Sequence, residues 1–369
     1  EKNCKSFETI HTGTDETPSP ALVTLYIKDC PSIKTLATLK LGSNAILDLH
    51  IEKCINLDTL FSIEATNNEQ RTLKRLVLKD CPNIVNPATL IEILSNCTTI
   101  DDVTLDCLGL GENNENYSTI FNSINNCKKI KIKDPNLTTL NISDPPKENL
   151  TTLELDCAKL TAITLSSPES SESSATAALE NKFPALTDLN LNNCNKLNLT
   201  TDFFKLDFIN SLTSLDLTGV QSVNDETLSN GLLQSPRANL RSLSLQHCTQ
   251  IKDLKVINFD QLPNLEYLNI SYITQQEGIK FAKFLDNLNK SNNLKIIDMR
   301  HVIQNKGENF NIKEQETNAL KRHHIALEKI IIQTQVCKDC NKSIKGAKEF
   351  LQMRNITLEE KDVRTKPDN

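Results

Sequence analysis

Apolar residues recur along most of the chain in one spacing, L-x-x-L-x-L, with Ile, Val or Met allowed at the Leu positions. The first apolar residue of successive units is Leu22, Ile46, Leu73, Ile100, Cys127, Leu150, Leu186, Leu212, Leu240, Leu265, Leu294 and Leu327, a mean step of about 28 residues. Within a unit such as LTDLNLNNC, Leu189 and Leu191 alternate with Asp188, Asn190 and Asn192. That period of two predicts a half-buried strand. So short a strand cannot bury its apolar side alone, and neighbouring copies have to stack side by side in parallel.

The segments between strands have two characters. The pattern predicts helices over residues 86–96, 115–126, 275–288 and 313–323, the third from a near-helical spacing of Ile279, Phe281, Phe284, Leu285 and Leu288. Second triplets follow three units, at Leu36, Leu39 and Leu41, at Leu137, Leu140 and Ile142, and at Leu160, Ile163 and Leu165. They come too soon for another full turn of a coil and predict extended chain. The Ser/Glu-rich stretch Ser166 to Lys182 reads as a loop insertion, which accounts for the longest step between units.

Cysteine placement sharpens the pattern. Cys30, Cys54, Cys81, Cys194 and Cys248 sit at one offset after the triplet, while Cys107 and Cys157 come one residue early. One thiol repeated in one slot points to a small, buried, weakly hydrogen-bonding side chain. The expectation is reduced thiols in a reducing compartment, although equivalent slots in successive units are near enough for disulfides to be geometrically allowed.

The triplet with its terminal Cys resembles the leucine-rich repeat superfamily, and more narrowly its cysteine-containing subgroup, as in F-box-linked repeat proteins. The resemblance covers roughly Leu22 to Gln335; the units at Cys127, Leu212, Leu265, Leu294 and Leu327 lack the Cys. It implies an α/β solenoid, a horseshoe of about 12 parallel inner strands with a mixed helical and extended convex side. Residues 1–21 are then an N-terminal cap or linker remnant, 22–335 the repeat array, and 336–369 a C-terminal cap with a helix over 343–353. A thin first cap and a start at Glu1 lead us to expect a piece of a longer protein.

Composition removes several function classes. Net charge is −6, which gives no reason to expect nucleic-acid binding. No apolar run is long enough to span a membrane. Gly numbers 9, and none of the phosphate-loop, dinucleotide, zinc-protease or nucleophile-elbow motifs occurs. Cys337 and Cys340 form one C-x-x-C, half of a zinc site, with His323 and His324 upstream; two cap thiols is the plainer reading. The sequons at Asn116 and Asn141 follow from a composition rich in Asn, Ser and Thr. We therefore expect no enzyme and no cofactor, and place the chain in the cytoplasm, or in a host cytoplasm if it is a secreted effector.

Function is then expected on the polar strand positions. Lys129, Lys131 and Lys133 form a basic rung between acidic rungs with Asp102 and Asp106 on one side and Glu154 and Asp156 on the other. Tyr267 and Tyr272, with Arg300 and His301, make an aromatic and cationic cluster of the kind enriched at binding hot spots. These residues are the candidate contacts for a protein partner of a monomeric binding module. The resemblance adds an alternative: the substrate-recognition arm of a ubiquitin-ligase-type adaptor, or of a bacterial effector, whose other domain lies elsewhere.

Overall fold

The computed structural model describes residues 24–36, 48–60, 73–84, 87–97, 100–110, 114–143, 145–165, 182–273, 288, 290, 292–300, 327–333 and 357–361. The chain divides into two compact units, Glu1–Asn190 with Cys194–Leu197, and Leu191–Asn193 with Asn198–Asn369.

In the first unit, strands β1 (Thr24–Lys28), β2 (Asp48–Glu52), β3 (Arg75–Lys79), β4 (Ile100–Asp106), β5 (Cys127–Lys133), β7 (Thr152–Asp156) and β9 (Asp188–Asn190) pair in that order. These pairings are parallel and in the register the repeat predicts; Leu49, for example, lies beside Leu25 on one side and Leu76 on the other. In the second unit, β10 (Ser214–Asp216), β11 (Ser242–Ser244), β12 (Tyr267–Asn269), β13 (Ile296–Asp298), β14 (Lys329–Gln333) and β15 (Thr357–Lys361) run likewise in parallel. Neither run closes into a barrel. The chain is thus α/β with a long parallel sheet. β15 lies beyond the twelve units counted from the apolar spacing, the last of which begins at Leu327.

Eight of the strands end in the same way. A residue one to three positions past each adopts a left-handed conformation, with positive φ at Asp29, Lys53, Asp80, Cys107, Asn193, His247 and Tyr272, and at Gly219. The backbone N–H of that residue donates to a carbonyl of the following rung: Asp29 to Glu52, Lys53 to Lys79, Asp80 to Asp106, Cys107 to Lys133, Asn193 to Thr218, Gly219 to Gln246, His247 to Ser271 and Tyr272 to Arg300, all at 2.7–3.0 Å. The next residue drops into the core. It is Cys30, Cys54, Cys81, Cys194 or Cys248, all buried, and the thiol donates to a backbone carbonyl, as Cys81 Sγ does to Lys79 O at 3.2 Å and Cys248 Sγ to Leu217 O at 3.2 Å. None of the nine described cysteines is disulfide-bonded.

The two early cysteines prove different from each other. Cys157 fills the buried slot of a rung with no left-handed residue, its thiol on Ile132 O at 3.8 Å. Cys107 is itself the left-handed residue, and Leu108 takes the buried slot. In β5 the slot holds Asp134, buried and accepting hydrogen bonds from Tyr117 Oη at 2.9 Å and Asn136 N at 2.8 Å.

The return segments match the sequence reading where they are described. Helices α1 (Ala88–Asn96) and α2 (Asn114–Ser123) lie at the first two predicted helices, and α2 buries Tyr117, Ile120 and Phe121. β6 (Thr139–Ile142) and β8 (Ala162–Leu165), the second triplets, pair in parallel as a separate two-stranded sheet. Of the remaining triplet only Leu36 is described, next to a single parallel bridge from Thr35 to Thr59; Leu39 and Leu41 lie outside the described residues. In the second unit the described returns are short: α3 (Phe208–Ser211), α4 (Asp225–Thr227), opened by a capping box between Asn224 and Thr227 and continued by a π-helical stretch at Leu228–Leu232, and tight turns at Leu254–Val256 and Phe259–Gln261 capped by Asp253 and Asn258. The helices expected at 313–323 and 343–353, all but Leu288 and its immediate surroundings of the one at 275–288, and the pair Cys337 and Cys340 lie outside the described residues.

Two buried cations close return turns, which the apolar spacing does not reveal. Lys147 Nζ donates to Asn122 O at 2.9 Å and Ile124 O at 2.8 Å, carbonyls at and just past the C-terminal end of α2. Burial, and then neighbouring Lys182, pull its pKa down to about 8. Arg237 stands at the same offset two rungs into the second unit and donates to Leu232 O, Phe204 O and Gly231 O as well as to the Asn210 side chain.

Leu191 is fully buried. Its truncation to Ala is expected to cost about 2–5 kcal/mol, read from a lowered denaturation midpoint in urea.

Candidate functional site

Alternation leaves one side of most of the described strands at least partly exposed. On β4, β5 and β7 that side carries the predicted charge bands. Register places Lys129 between Asp102 and Thr152, Lys131 between Thr104 and Glu154, and Lys133 between Asp106 and Asp156. The lysines lean toward β7. Lys129 Nζ reaches Glu154 Oε1 at 2.6 Å, Lys131 Nζ reaches Glu154 Oε2 at 3.0 Å, and Lys133 Nζ lies 3.8 Å from Asp156 Oδ2. One carboxylate therefore grips two ammonium groups. Partial burial alone would raise Glu154, but the hydrogen bonds from Lys129 and Lys131 outweigh it and hold the carboxyl below its ordinary range. Lys129 is raised in turn, chiefly by the hydrogen bond it donates to Glu154.

The acidic rung on the other side engages differently. Asp102 lies 3.9 Å from Arg75 Nε and accepts from Thr104 Oγ1 at 3.4 Å. Asp106 groups with Asp80 and Cys107, whose oxygens and sulfur lie within 4.8 Å of one another. Burial, followed by Asp106 and Asp80, pushes the Cys107 thiol up to about 12. The same face on β1 and β2 is tied by Lys28 to Glu52 at 2.7 Å and by an edge-on contact of Tyr26 with His50, ring centroids 4.6 Å apart.

In the second unit the face carries few charges. Thr218 Oγ1 and Ser244 Oγ lie 2.9 Å apart, Asn269 Nδ2 donates to Gln246 Oε1 at 3.0 Å, and Ser271 Oγ donates to Asn269 Oδ1 at 2.7 Å. Arg300 clamps Asp298 through Nε and Nη2, the latter 2.7 Å from Oδ2, and Asp298 is only 2% exposed. That bond holds the Arg300 guanidinium above its ordinary pKa, with Tyr272 and Tyr267 near enough to add to the effect. The structure thus gathers three of the predicted cluster, Tyr267, Tyr272 and Arg300; His301 lies outside the described residues. It adds His247, whose ring stacks on Tyr272 with centroids 4.2 Å apart and planes 19° apart. Burial lowers the pKa of His247, favouring the neutral ring. The signal for that stack was present in the sequence: His247 and Tyr272 occupy the same left-handed offset of neighbouring rungs.

No protein-family model matches the chain, and no curated protein matches it by sequence. Among solved structures, the crystal structure of the Rad7 and Elc1 complex in yeast resembles it at 16% identity, over 71% of this chain and 76% of that one, with a TM-score of 0.33. At that level the likeness carries no argument of its own. No described helix is long and apolar enough to cross a membrane.

Because Glu154 is depressed in the folded chain, its ion pairs contribute above the unfolded carboxyl pKa near 4.3 and are lost as pH falls through the folded value. Glu154→Gln is expected to lower stability by about 0.5–1 kcal/mol near neutrality, the difference from the native chain vanishing as acid protonates the Glu154 carboxyl, measured by urea denaturation across pH.

Proposed function

We propose that the chain is a leucine-rich-repeat module that binds a protein partner through the polar side of its parallel strands and carries out no chemistry itself. The observation that carries this reading is the ordered charge band on β4, β5 and β7. Three lysines and the carboxylates of Glu154 and Asp156 are held in register by mutual ion pairs. Side chains already fixed in place have less rotamer entropy to lose on docking, so a charged partner meets a preorganised pattern. Such a pattern contributes to selection and association rate more than to raw affinity. The aromatic group of His247 and Tyr272 beside Arg300 supplies, in the other unit, the rigid contact area that binding hot spots use.

The narrower readings, an adaptor arm of a ubiquitin ligase or the recognition arm of an effector, rest on the repeat resemblance. They are separated from the general one by whether the full-length gene encodes a further domain.

A charge exchange tests the binding face without dismantling it. In Lys129→Glu, Lys131→Glu, Glu154→Lys the three groups keep their ion pairs while the pattern offered to a partner is inverted. The variant is expected to keep the circular dichroism and unfolding midpoint of the native chain, and to recover its partners from native lysate on the order of tenfold less well. Equal recovery of the same partners would remove this face from the interface.

A further inference from the structure

Cys54 and Cys81 end adjacent rungs at the same offset, two residues beyond the register pair Glu52 and Lys79. Inter-rung hydrogen bonds bracket them on both sides. Lys53 N donates to Lys79 O at 2.9 Å just before the two cysteines, and Asn83 Nδ2 donates to Ile55 O at 2.8 Å just after them. The backbone is therefore pinned at the spacing of neighbouring parallel strands, about 4.8 Å, which falls inside the Cα window of roughly 4.4–6.8 Å that a disulfide needs. Both thiols are fully buried on neighbouring rungs, Cys54 Sγ donating to Glu52 O at 3.7 Å and Cys81 Sγ to Lys79 O at 3.2 Å.

We propose that Cys54 and Cys81 form an oxidisable dithiol site that closes to a disulfide with hydrogen peroxide, covalently tying β2 to β3. The Cys54 thiolate attacks one peroxide oxygen and hydroxide leaves, giving a sulfenic acid. The Cys81 sulfur then attacks the Cys54 sulfur, the S–O bond breaks, and water departs with the Cys81 proton. In total two thiols and one peroxide become one disulfide and two waters. Burial restricts the reaction to a small uncharged oxidant.

The neighbouring thiol makes Cys54 the attacking group. Cys81 beside it lowers the pKa of Cys54, while the same contact and burial raise that of Cys81. Elsewhere burial pushes thiols up, Cys127, Cys157 and Cys248 to about 12 and Cys194 to about 11, so these stay protonated and slow to react. Cys157 and Cys194 also end neighbouring rungs, β7 and β9, and serve as an internal comparison. The inference does not depend on the binding reading: it concerns one crosslink within one unit.

The test treats the whole chain with hydrogen peroxide, unfolds it in iodoacetamide and maps the peptides by mass spectrometry. The expected product is a Cys54–Cys81 crosslinked peptide that has lost two hydrogens, disappears on reduction with dithiothreitol, and forms before any link at Cys157 or Cys194. Cys81→Ser is expected to stop at a Cys54 sulfenic acid that dimedone traps. Recovery of Cys54 and Cys81 both alkylated, or of Cys54 joined to a different cysteine, overturns the assignment. The native chain alone decides this even where the serine variant does not fold.

Discussion

A short buried strand has to stop, leave the sheet and return without stranding the last of its backbone groups, and here a single left-handed residue does that work. Its positive φ turns the chain by the geometry that L-residues adopt least readily, at a cost of about 1–2 kcal/mol for residues other than Gly, Asn and Asp. The cost is recovered in register: the N–H of that residue reaches the next rung's carbonyl, and the following side chain is thrown into the core. Lys53, Cys107 and Tyr272 all accept the conformation, although none is a residue that seeks it. The buried Cys follows from the same turn, since the slot it enters admits a small side chain with one weak donor aimed at a carbonyl.

The faces inherit their order from this register. With the rungs locked residue to residue, Glu154 cannot avoid standing beside Lys131 and diagonal to Lys129, and the charge band is a consequence of sequence offset and strand spacing together. Ion pairs of this exposure stabilise little. Their importance is positional: they hold flexible lysine chains in one arrangement on a surface that is otherwise polar and smooth.

Much of this was legible in the sequence because it repeats. The rung starts, the core Leu and Ile positions, α1, α2 and the extended pair β6 and β8 all follow from spacing. What escaped has separate physical causes. Lys147 and Arg237 look like surface residues until the return turns are built, because what buries them is the need of carbonyls such as Asn122 O and Leu232 O for donors. Asp298 reads as an exposed strand residue, yet Arg300 two positions on folds over it and the pair is drawn inward. Cys107 and Cys157 look alike in the repeat. The residue after each separates them, since Leu108 is apolar and fills the core slot whereas Ala158 is exposed and leaves Cys157 to fill it. Before β15 the spacing Met353, Ile356 and Leu358 fits the repeat but stands two residues out of the register in which Leu358 pairs with Ile330.

Amide hydrogen exchange followed by NMR tests the central claim most directly. If the left-handed turns lock the rungs together, the amides of Lys53, Asp80, Cys107, Asn193, His247 and Tyr272 exchange as slowly as those of core strand residues such as Leu76 and Leu243. Exchange at the rate of exposed loops, with the strand amides still protected, would contradict it: the turns would then be passengers on the sheet rather than the device that sets its register.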